Sequence, residues 1–479
     1  MTNSKIQFGT DGWRGVIAAD FTFSQVEKVA AIAADILEKH YGNITQNRLI
    51  VIGYDRRFMA EKFAEATAKA VQKAGFDVYL ANCYAPTPAL SWAAKTQAAL
   101  GALVLTASHN PSEYLGLKVK SAFGGSVGRS ITAEIEEKLA QGNLPESYNS
   151  GTLEWFNPWD SYVEGLQSKV NVRRIQSAIS QGKLNIFVDV MHGAAAGGLS
   201  RLLGEGINEL NANRDPLFGG NPPEPLPNYI PDLFQAIKQA KSDHPSKLRV
   251  GLVFDGDCDR VAAIDGEGNF LSSQVLIPIL IQHLVTHHGF SGEVVKTVSG
   301  SDLIPLVAKQ YEQHIYETAI GYKYIAERML KTDVLIGGEE SGGIGYGTHI
   351  PERDALLSAL YAIEAVVVNE KDLGELYQNL QTEVAFHSAY NRVDLPLANT
   401  EAKERLQRIL ESNPPTQIAE QEVNDCQTLD GYKFRLADDS WLLVRFSGTE
   451  PLLRLYCEAG SDQQVKTILD WAKKWASEL

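Results

Sequence analysis

The stretch that decides the fold class is Leu103-Val104-Leu105-Thr106-Ala107-Ser108-His109-Asn110-Pro111, in which an apolar strand runs directly into a polar loop. The pattern returns twice: residues 252–254 lead into the acidic loop 255–260, and residues 334–336 lead into the glycine-rich loop 337–343. In open α/β sheets, ligands bind beyond the carboxyl ends of the strands. We therefore expect the three loops to form one shared site between α/β domains.

Strand and helix signals alternate along most of the chain. Apolar residues recur at helical spacing over 23–37 and 63–74, between short apolar strands, which predicts mostly parallel sheets covered by helices. Residues 428–457 instead alternate around an Asp438-Asp439 turn and predict antiparallel strands. The polar, proline-bearing segments 149–158 and 413–417 are interpreted as linkers or loops.

Length and charge restrict the class of protein. A chain of 479 residues predicts three or four domains. The net charge of −15 argues against a general binder of nucleic acid or acidic membranes, although a local basic pocket can still bind an anionic substrate. Four scattered cysteines, no apolar signal core at the N-terminus and no apolar run long enough to span a bilayer predict a cytoplasmic protein.

The serine loop alone leaves two interpretations open. Ser108 follows a buried strand and could be a nucleophile, or it could cap a helix. A hydrolase is disfavoured because the loop contains no Gly-x-Ser-x-Gly elbow. The neighbouring His109 does not by adjacency alone give the geometry of a serine–histidine pair.

The acidic loop predicts a metal site. Asp255, Asp257 and Asp259 alternate along a tight turn, where their carboxylates can converge on a hard cation. A solvated acidic turn is the simpler alternative, whereas an EF-hand is excluded because Arg260 and Gly266 stand where that loop needs Gly and Glu. Three protein oxygens leave coordination sites open for a phosphate oxygen, as Mg²⁺ requires in phosphoryl transfer.

Two further loops supply the groups that binding a phosphorylated sugar requires. Residues 338–343, Gly-Glu-Glu-Ser-Gly-Gly, suit hydrogen bonding to sugar hydroxyls, although alone they would be read as a surface loop. Residues 445–451, with Arg454 beyond, combine arginine, two hydroxyls and a glycine turn, as a phosphate cradle does. A strand-end turn with solvated charges is the alternative for this last loop.

These loops resemble, in the same order along essentially the whole chain, those of the α-D-phosphohexomutase family of phosphoglucomutases, phosphomannomutases and phosphoglucosamine mutases. Further matching segments are Phe8-Gly9-Thr10-Asp11-Gly12-Trp13-Arg14-Gly15, Gly53-Tyr54-Asp55-Arg56-Arg57, Pro86-Thr87-Pro88 and Gly321-Tyr322-Lys323. The resemblance implies three α/β domains with mixed, largely parallel sheets and a smaller C-terminal α+β domain around a central cleft. We place these domains at 1–155, 156–265, 266–375 and 376–479.

The resemblance also implies roles for individual residues. Ser108 would carry a phosphate, and Mg²⁺ would be bound by Asp255, Asp257, Asp259 and an oxygen of the phosphorylated Ser108. The remaining roles are the reaction centre (Arg14, His109, Lys118, Arg260 and Lys323), contacts to sugar hydroxyls (Glu339 and Ser341) and the site of the non-reacting phosphate (Arg445, Ser447, Gly448 and Thr449). Lys118 and His109 are the candidates for proton transfer.

The implied function is a mutase that interconverts hexose 1-phosphates and 6-phosphates through a hexose 1,6-bisphosphate, which would also serve as activator or phosphoryl donor. Glucose is expected before mannose, and glucosamine last. The alternatives are a glucose-1,6-bisphosphate synthase, a metal-dependent sugar phosphatase with Asp255 as nucleophile, and a binding module without catalysis. The chain departs from the family at Leu115-Gly116, at Gly342-Gly343 and at Arg353, which stands where lysine is common.

Overall fold

Four β-sheets follow one another along the chain in this computed structural model, which describes residues 6–142, 144–145, 149–447 and 452–478. The first block contains the strands β1 Trp13–Val16, β2 Leu49–Tyr54, β3 Asp77–Ala81, β4 Gly101–Leu105, β5 Tyr114–Ser121 and β6 Leu153–Phe156, with the helices α1 Phe23–Thr45, α2 Ala60–Lys73, α3 Thr87–Thr96 and α4 Arg129–Gln141. The sheet order is β1-β5-β4-β2-β3-β6. The four strands from β4 to β6 are parallel, and β5 and β1 continue the sheet antiparallel.

The second block has the same mixed character. Its elements are α5 Pro158–Gln167, α6 Val172–Ser180, β7 Leu184–Asp189, α7 Gly198–Leu203, β8 Ile207–Leu210, α8 Pro231–Asp243, β9 Leu248–Phe254, β10 Val261–Ile264 and β11 Phe270–Leu271. The order is β11-β10-β9-β7-β8, with β9, β7 and β8 parallel. The alanine-rich segment that follows β7 forms turns, and helix α7 begins after it, at Gly198.

The third block has a four-stranded sheet between long helices. Its elements are α9 Ser273–Thr286, β12 Glu293–Thr297, α10 Leu303–Gln310, β13 Ile315–Thr318, α11 Tyr322–Met329, β14 Val334–Gly338, β15 Ile344–Gly345, α12 Ala355–Asn369 and α13 Leu373–Glu383. The order is β13-β12-β14-β15, and only β15 is antiparallel.

The fourth block is antiparallel throughout, as the alternation over 428–457 predicts. It consists of β16 Ala389–Pro396, α14 Thr400–Ser412, β17 Gln417–Ile418, β18 Gln421–Gln427, β19 Tyr432–Leu436, β20 Trp441–Phe446, β21 Leu452–Ala459 and α15 Asp462–Glu478. The sheet order is β16-β21-β20-β19-β18-β17. The predicted class, three mixed α/β domains and a smaller α+β domain, is confirmed.

The interpretation of residues 149–158 as a linker or loop is wrong for its central residues. Within them, β6 pairs in parallel with β3 and forms the edge of the first sheet. Two of the predicted domain boundaries also fall inside local structure: the break after residue 265 lies within the β10–β11 hairpin, and the break after residue 375 lies within α13. Among the described residues, no helix combines the length and the apolarity that crossing a membrane requires.

The second and third blocks share one continuous hydrophobic core. Helix α12 is buried on all sides from Ala355 to Val367, as expected of a helix that is apolar all round. Its side chains pack in a single cluster with apolar residues of both blocks, from Trp159 to Leu380. The first and fourth blocks have cores of their own, although Ala85 and Ala89 of the first block belong to the shared cluster. The second and third blocks are therefore expected to unfold together.

We expect Leu360→Ala to lower the free energy of unfolding by about 2–5 kcal/mol, because it leaves a cavity in this shared core. Chemical denaturation measures the loss. The matched control is Leu330→Ala, at a leucine that is 52% exposed, and its effect should be small. Similar losses in both variants would contradict a shared core around α12.

Candidate active site

The three strand-end loops meet, as expected from the carboxyl ends of their strands. Ser108 follows β4, and its Oγ donates a hydrogen bond to Oδ2 of Asp255, which follows β9, at 2.7 Å. Glu339 follows β14 and lines the adjoining cleft of about 550 Å³. The loops thus join the first three blocks around one site.

The serine loop is held in a strained conformation by a buried arginine. Ser108 has a φ of 51° and lies in a turn, which excludes the helix-cap interpretation. Such a φ is unfavourable for a residue with a side chain, so the surroundings have to impose it. Arg57 does so by donating to the backbone carbonyls of Ser108 and Asn110, both at 2.6 Å. Arg57 is paired with Asp55, whose pKa burial raises to about 6.

The metal loop presents carboxylate oxygens that nothing in the described chain satisfies. Asp255, Asp257 and Asp259 are fully buried, and their candidate ligand oxygens lie within 4.8 Å of one another. Oδ1 of Asp257 and Oδ1 of Asp259 accept no hydrogen bond from the described residues. Burial and the two neighbouring carboxylates hold the pKa of Asp255 well above its usual range. Because buried unpaired carboxylate oxygens are costly, this donor set fits a divalent cation such as Mg²⁺.

A glycine allows the two loops to approach. A Cβ at residue 256 would lie 2.5 Å from the carbonyl oxygen of Ser108, closer than any side chain tolerates. Only glycine therefore fits between the first two carboxylates of the metal loop while the serine stays in contact with Asp255. Gly256 is thus part of the site, a role that the local sequence pattern does not indicate.

Lys118 supplies the positive charge at the centre of the carboxylates. Its side chain extends from β5 and is 1% exposed, and Nζ lies 2.7 Å from Asp11, 2.8 Å from Asp257 and 2.7 Å from Asp259. Burial alone would lower the pKa of Lys118, but these three carboxylates together hold it above its ordinary value. The ammonium group is therefore the counter-charge of the cluster.

Two residues without an assigned role belong to the same network. Nη2 of Arg353 lies 2.5 Å from Asp11 and 2.8 Å from Asp259, and its Nη1 lies 4.0 Å from Glu339. Asp11 falls within the matching segment 8–15, which was the only signal for it. Arg353 departs from the lysine that is common at its position in the family, which puts a reacting-site role for it in doubt, and the structure places it between the metal loop and the sugar loop.

Histidine and arginine side chains flank Ser108. Nδ1 of His109 is 3.3 Å from Ser108 Oγ, and burial with nearby Arg260 and Arg14 holds the pKa of His109 well below its usual range. Arg14 donates to the side-chain oxygen of Asn110, while Arg260 lies 4.0 Å from Glu224. His109, Arg14 and Arg260 all line the cleft, as the resemblance implies.

The opposite wall of the cleft comes from the third and fourth blocks. It includes the predicted residues Lys323, Glu339, Ser341 and Arg445, and also Arg392 and Arg454. Burial raises the pKa of Glu339 to about 7. Among the described residues that line the cleft, seven cationic side chains face four carboxylates, so the cleft is locally positive on an acidic chain.

The predicted phosphate loop is only partly described. Ser447 is 5% exposed, its carbonyl oxygen accepts from Lys403 at 2.6 Å, and it is not among the described residues that line the cleft. Gly448 and Thr449 lie outside the described residues. Arg445, predicted for the same phosphate, does line the cleft. Its Nε donates a hydrogen bond to Asp430 at 3.0 Å.

Comparison with known proteins covers the whole chain. Models of the phosphoglucomutase/phosphomannomutase family match the three α/β/α domains at residues 5–146, 160–268 and 272–384 and the C-terminal domain at 398–471. A phosphoglucomutase/phosphomannomutase of Thermococcus kodakarensis is 28% identical over 476 residues, which are 98% of both chains. A phosphoglucosamine/phosphogalactosamine mutase of Sulfurisphaera tokodaii is 29% identical over an alignment 493 residues long, gaps included, which covers 98% of each chain.

A solved structure gives the same result for the fold. A protein of Thermus thermophilus, provisionally named a phosphomannomutase, is 30% identical and superimposes with a TM-score of 0.85, covering 99% of this chain and 100% of that one. The predicted class of enzyme, an intramolecular phosphotransferase, is confirmed by these relatives. The chain belongs to the phosphoglucomutase/phosphomannomutase family.

Proposed function

We propose that the chain interconverts hexose 1-phosphates and 6-phosphates through a phosphoserine at Ser108. The observation that carries this proposal is the contact between Ser108 Oγ and the carboxylate cluster, beside a locally positive cleft. A serine hydroxyl at this position lies where a phosphate on it would reach both a cation and the cleft. The excess of positive charge suits a doubly phosphorylated sugar.

Asp255, Asp257 and Asp259 would hold Mg²⁺, together with an oxygen of the phosphate on Ser108. When bound, the ion supplies charge stabilisation to the transferring phosphoryl group. Arg14 and Arg260 would add positive charge from the cleft side. Positioning and electrostatics carry most of the acceleration in this kind of transfer.

In the first transfer, the Oγ–P bond of Ser108 breaks and the free hydroxyl of the hexose monophosphate forms the new P–O bond. The hydroxyl proton passes to a protein group. Of the two candidates, His109 is the one suited to accept it, because Lys118 is held as an ammonium ion by three carboxylates and can only donate. The product is a hexose 1,6-bisphosphate, which turns around in the cleft. In the second transfer, its other phosphate returns to Ser108, and a free bisphosphate can reload an unphosphorylated chain.

The opposite wall of the cleft would bind the rest of the substrate. We assign the sugar hydroxyls to Glu339 and Ser341, and the non-reacting phosphate to Arg445 with the neighbouring Arg392 and Arg454. Arginine suits this role because its planar group pairs with phosphate oxygens through two hydrogen bonds. Gly448 and Thr449 are proposed for the same phosphate on the resemblance alone.

The hydrogen bonds of Asp255 argue against the phosphatase alternative. Its Oδ2 accepts from Ser108, and its Oδ1 accepts the backbone N–H groups of Asp259 and Arg260 at 3.0 and 3.1 Å. The two N–H groups hold Oδ1, and Oδ2, which faces Ser108, is the oxygen proposed as a metal ligand, so neither oxygen is left to attack phosphorus. This supports Ser108, rather than Asp255, as the group that carries the phosphate.

We expect Ser108→Ala to reduce mutase turnover by roughly 1000-fold or more, because the covalent route is lost. Coupled turnover assays and the intact mass after incubation with a sugar bisphosphate measure the two effects. Ser112→Ala, in the same loop, is the matched control and should keep both activity and the added phosphate. Full turnover of Ser108→Ala would instead favour the phosphatase-type nucleophile.

We expect Asp257→Asn to lower turnover at fixed Mg²⁺ by at least about 100-fold, because one of the converging ligands is lost. The control is Asp265→Asn, which removes another buried carboxylate from the same block, at the β10–β11 hairpin. Activities are compared at equal folded fraction, followed by circular dichroism. Equal losses in the two variants would mean that the Asp257 effect is only structural.

The preferred sugar is the finer part of the proposal. We expect glucose phosphates to be converted fastest. Mannose and glucosamine phosphates are the substrates to compare, because the relative named a phosphoglucosamine/phosphogalactosamine mutase is as similar to this chain as the phosphoglucomutase/phosphomannomutase is. The measurement is a panel of hexose 1-phosphates, with and without added bisphosphate, analysed for isomerised product and for bisphosphate. Net formation of bisphosphate with negligible isomerisation would contradict the mutase proposal and favour a bisphosphate synthase.

A further inference from the structure

A second group of metal-ligating side chains lies outside the cleft. We call it the His–Glu cluster: His283, His287, His288 and Glu364. The histidines occupy the end of α9 and the turn after it, and Glu364 projects from the middle of α12. None of the four is among the described residues that line the cleft, and the function proposed above uses none of them.

The donor atoms converge on one point. Nε2 of His283 lies 2.9 Å from Oε2 of Glu364, and Nε2 of His288 lies 2.7 Å from the same oxygen. Candidate ligand atoms of these three residues all lie within 4.8 Å of one another. His287 stacks on His283 with its Nε2 4.0 Å from Oε1 of Glu364, so a third imidazole stands beside the group.

The surroundings fix the carboxylate and enclose the imidazoles. Oε1 of Glu364 accepts the backbone N–H of Asn171 at 2.6 Å, which leaves Oε2 facing the histidines. The ring of Phe290 stacks on His288 at 5.1 Å, and Tyr361 lies edge-on to it at 5.4 Å. An outer hydrogen bond on a ligating carboxylate and an apolar wall are both features of built metal sites.

The two central members of the cluster are enclosed by the protein. The side chains of His283 and Glu364 are 2% and 1% exposed, so their donor atoms lie out of contact with bulk water. Nδ1 of His283 is buried without a partner among the described residues, so no group outside the cluster fixes its tautomer.

We propose that the His–Glu cluster binds one transition-metal ion of the Zn²⁺ class, separate from the Mg²⁺ held by the aspartates. Imidazole nitrogen with one carboxylate favours Zn²⁺ and its neighbours, whereas an all-oxygen site favours Mg²⁺. The ion would hold α9 and α12 of the third block together. Because Glu364 also accepts the N–H of Asn171, which precedes α6, the same group would be attached to the second block. The role of the ion is therefore structural.

The test uses the full-length protein after dialysis against a chelator. Saturating Mg²⁺ is added first to fill the aspartate site, and Zn²⁺ is then titrated against a chromogenic chelator. We expect one Zn²⁺ per chain and a higher midpoint of thermal unfolding, because the ion binds the folded state. His288→Gln should weaken this binding by at least about tenfold and abolish the thermal shift, with mutase turnover unchanged.

The controls separate this site from the aspartates and from a folding defect. His314→Gln, at an exposed histidine of the same block, should bind Zn²⁺ as the unmodified protein does. His287→Gln, at a more exposed cluster member, serves as the second variant should His288→Gln fold poorly. A Co²⁺-loaded sample should show the visible absorption of a tetrahedral nitrogen-ligated ion, and this should be lost in the cluster variants.

Three results would overturn the proposal. They are no Zn²⁺ retained in the presence of Mg²⁺, unchanged binding in both cluster variants, or a site that is lost in Asp257→Asn but kept in His288→Gln. The first two would leave the cluster as a buried ion-pair network. Because the deciding readouts are Zn²⁺ binding, the thermal shift and the Co²⁺ absorption rather than turnover, the outcome is independent of whether the proposed mutase activity is correct.

Discussion

The contact of the Lys118 ammonium group with Asp11, Asp257 and Asp259 is the interaction on which the site depends. Buried charges are costly unless they are fully paired, and removing one partner leaves the others uncompensated. Lys118 belongs to β5 of the first sheet, whereas two of its partners belong to the metal loop of the second block. The pairing is therefore satisfied only when these two blocks are docked, and docking brings Ser108 to Asp255. Arg353 extends the same constraint to the third block through Asp11 and Asp259.

This constraint explains how a cleft with excess positive charge exists on a chain of net charge −15. Asp257 and Asp259 are buried and each is paired through one oxygen with Lys118 or Arg353, which weakens their repulsion of an anionic ligand. Cations outside this cluster, such as Lys323 and Arg445, line the open space instead. A local potential of this kind can capture a phosphorylated sugar regardless of the overall charge. Because the dipoles and charges are fixed before a ligand arrives, little reorganisation is needed during transfer.

Local sequence patterns predicted the loops but not the contacts between them. The serine and metal loops were found because each follows an apolar strand, and that arrangement is visible within about ten residues. Arg353 and Asp11 are 342 residues apart, so their contact depends on the docking of whole blocks and leaves no local pattern. Edge strand β6 is not predicted for a related reason. Its four residues are exposed or half-exposed and lie within a polar, proline-bearing segment, so the strand is recognisable only from its pairing with β3. The apolar run of α12 predicted a helix, but not that one helix completes the core of two blocks.

Helix α12 also connects the site to the His–Glu cluster. Arg353 stands directly before its N-cap, Asp354, which accepts the Leu357 N–H at 2.9 Å and is held by Tyr162 and His349. Glu364 lies about three turns along the same buried helix, roughly 16 Å away at the α-helical rise per residue. A helix fixed at its first residue and again at Glu364 has little freedom to shift along or about its axis. The two anchors use different chemistry, carboxylate capping at one end and imidazole–carboxylate contacts within, so each can stabilise the position of Arg353 without competing for the same ion or the same partner.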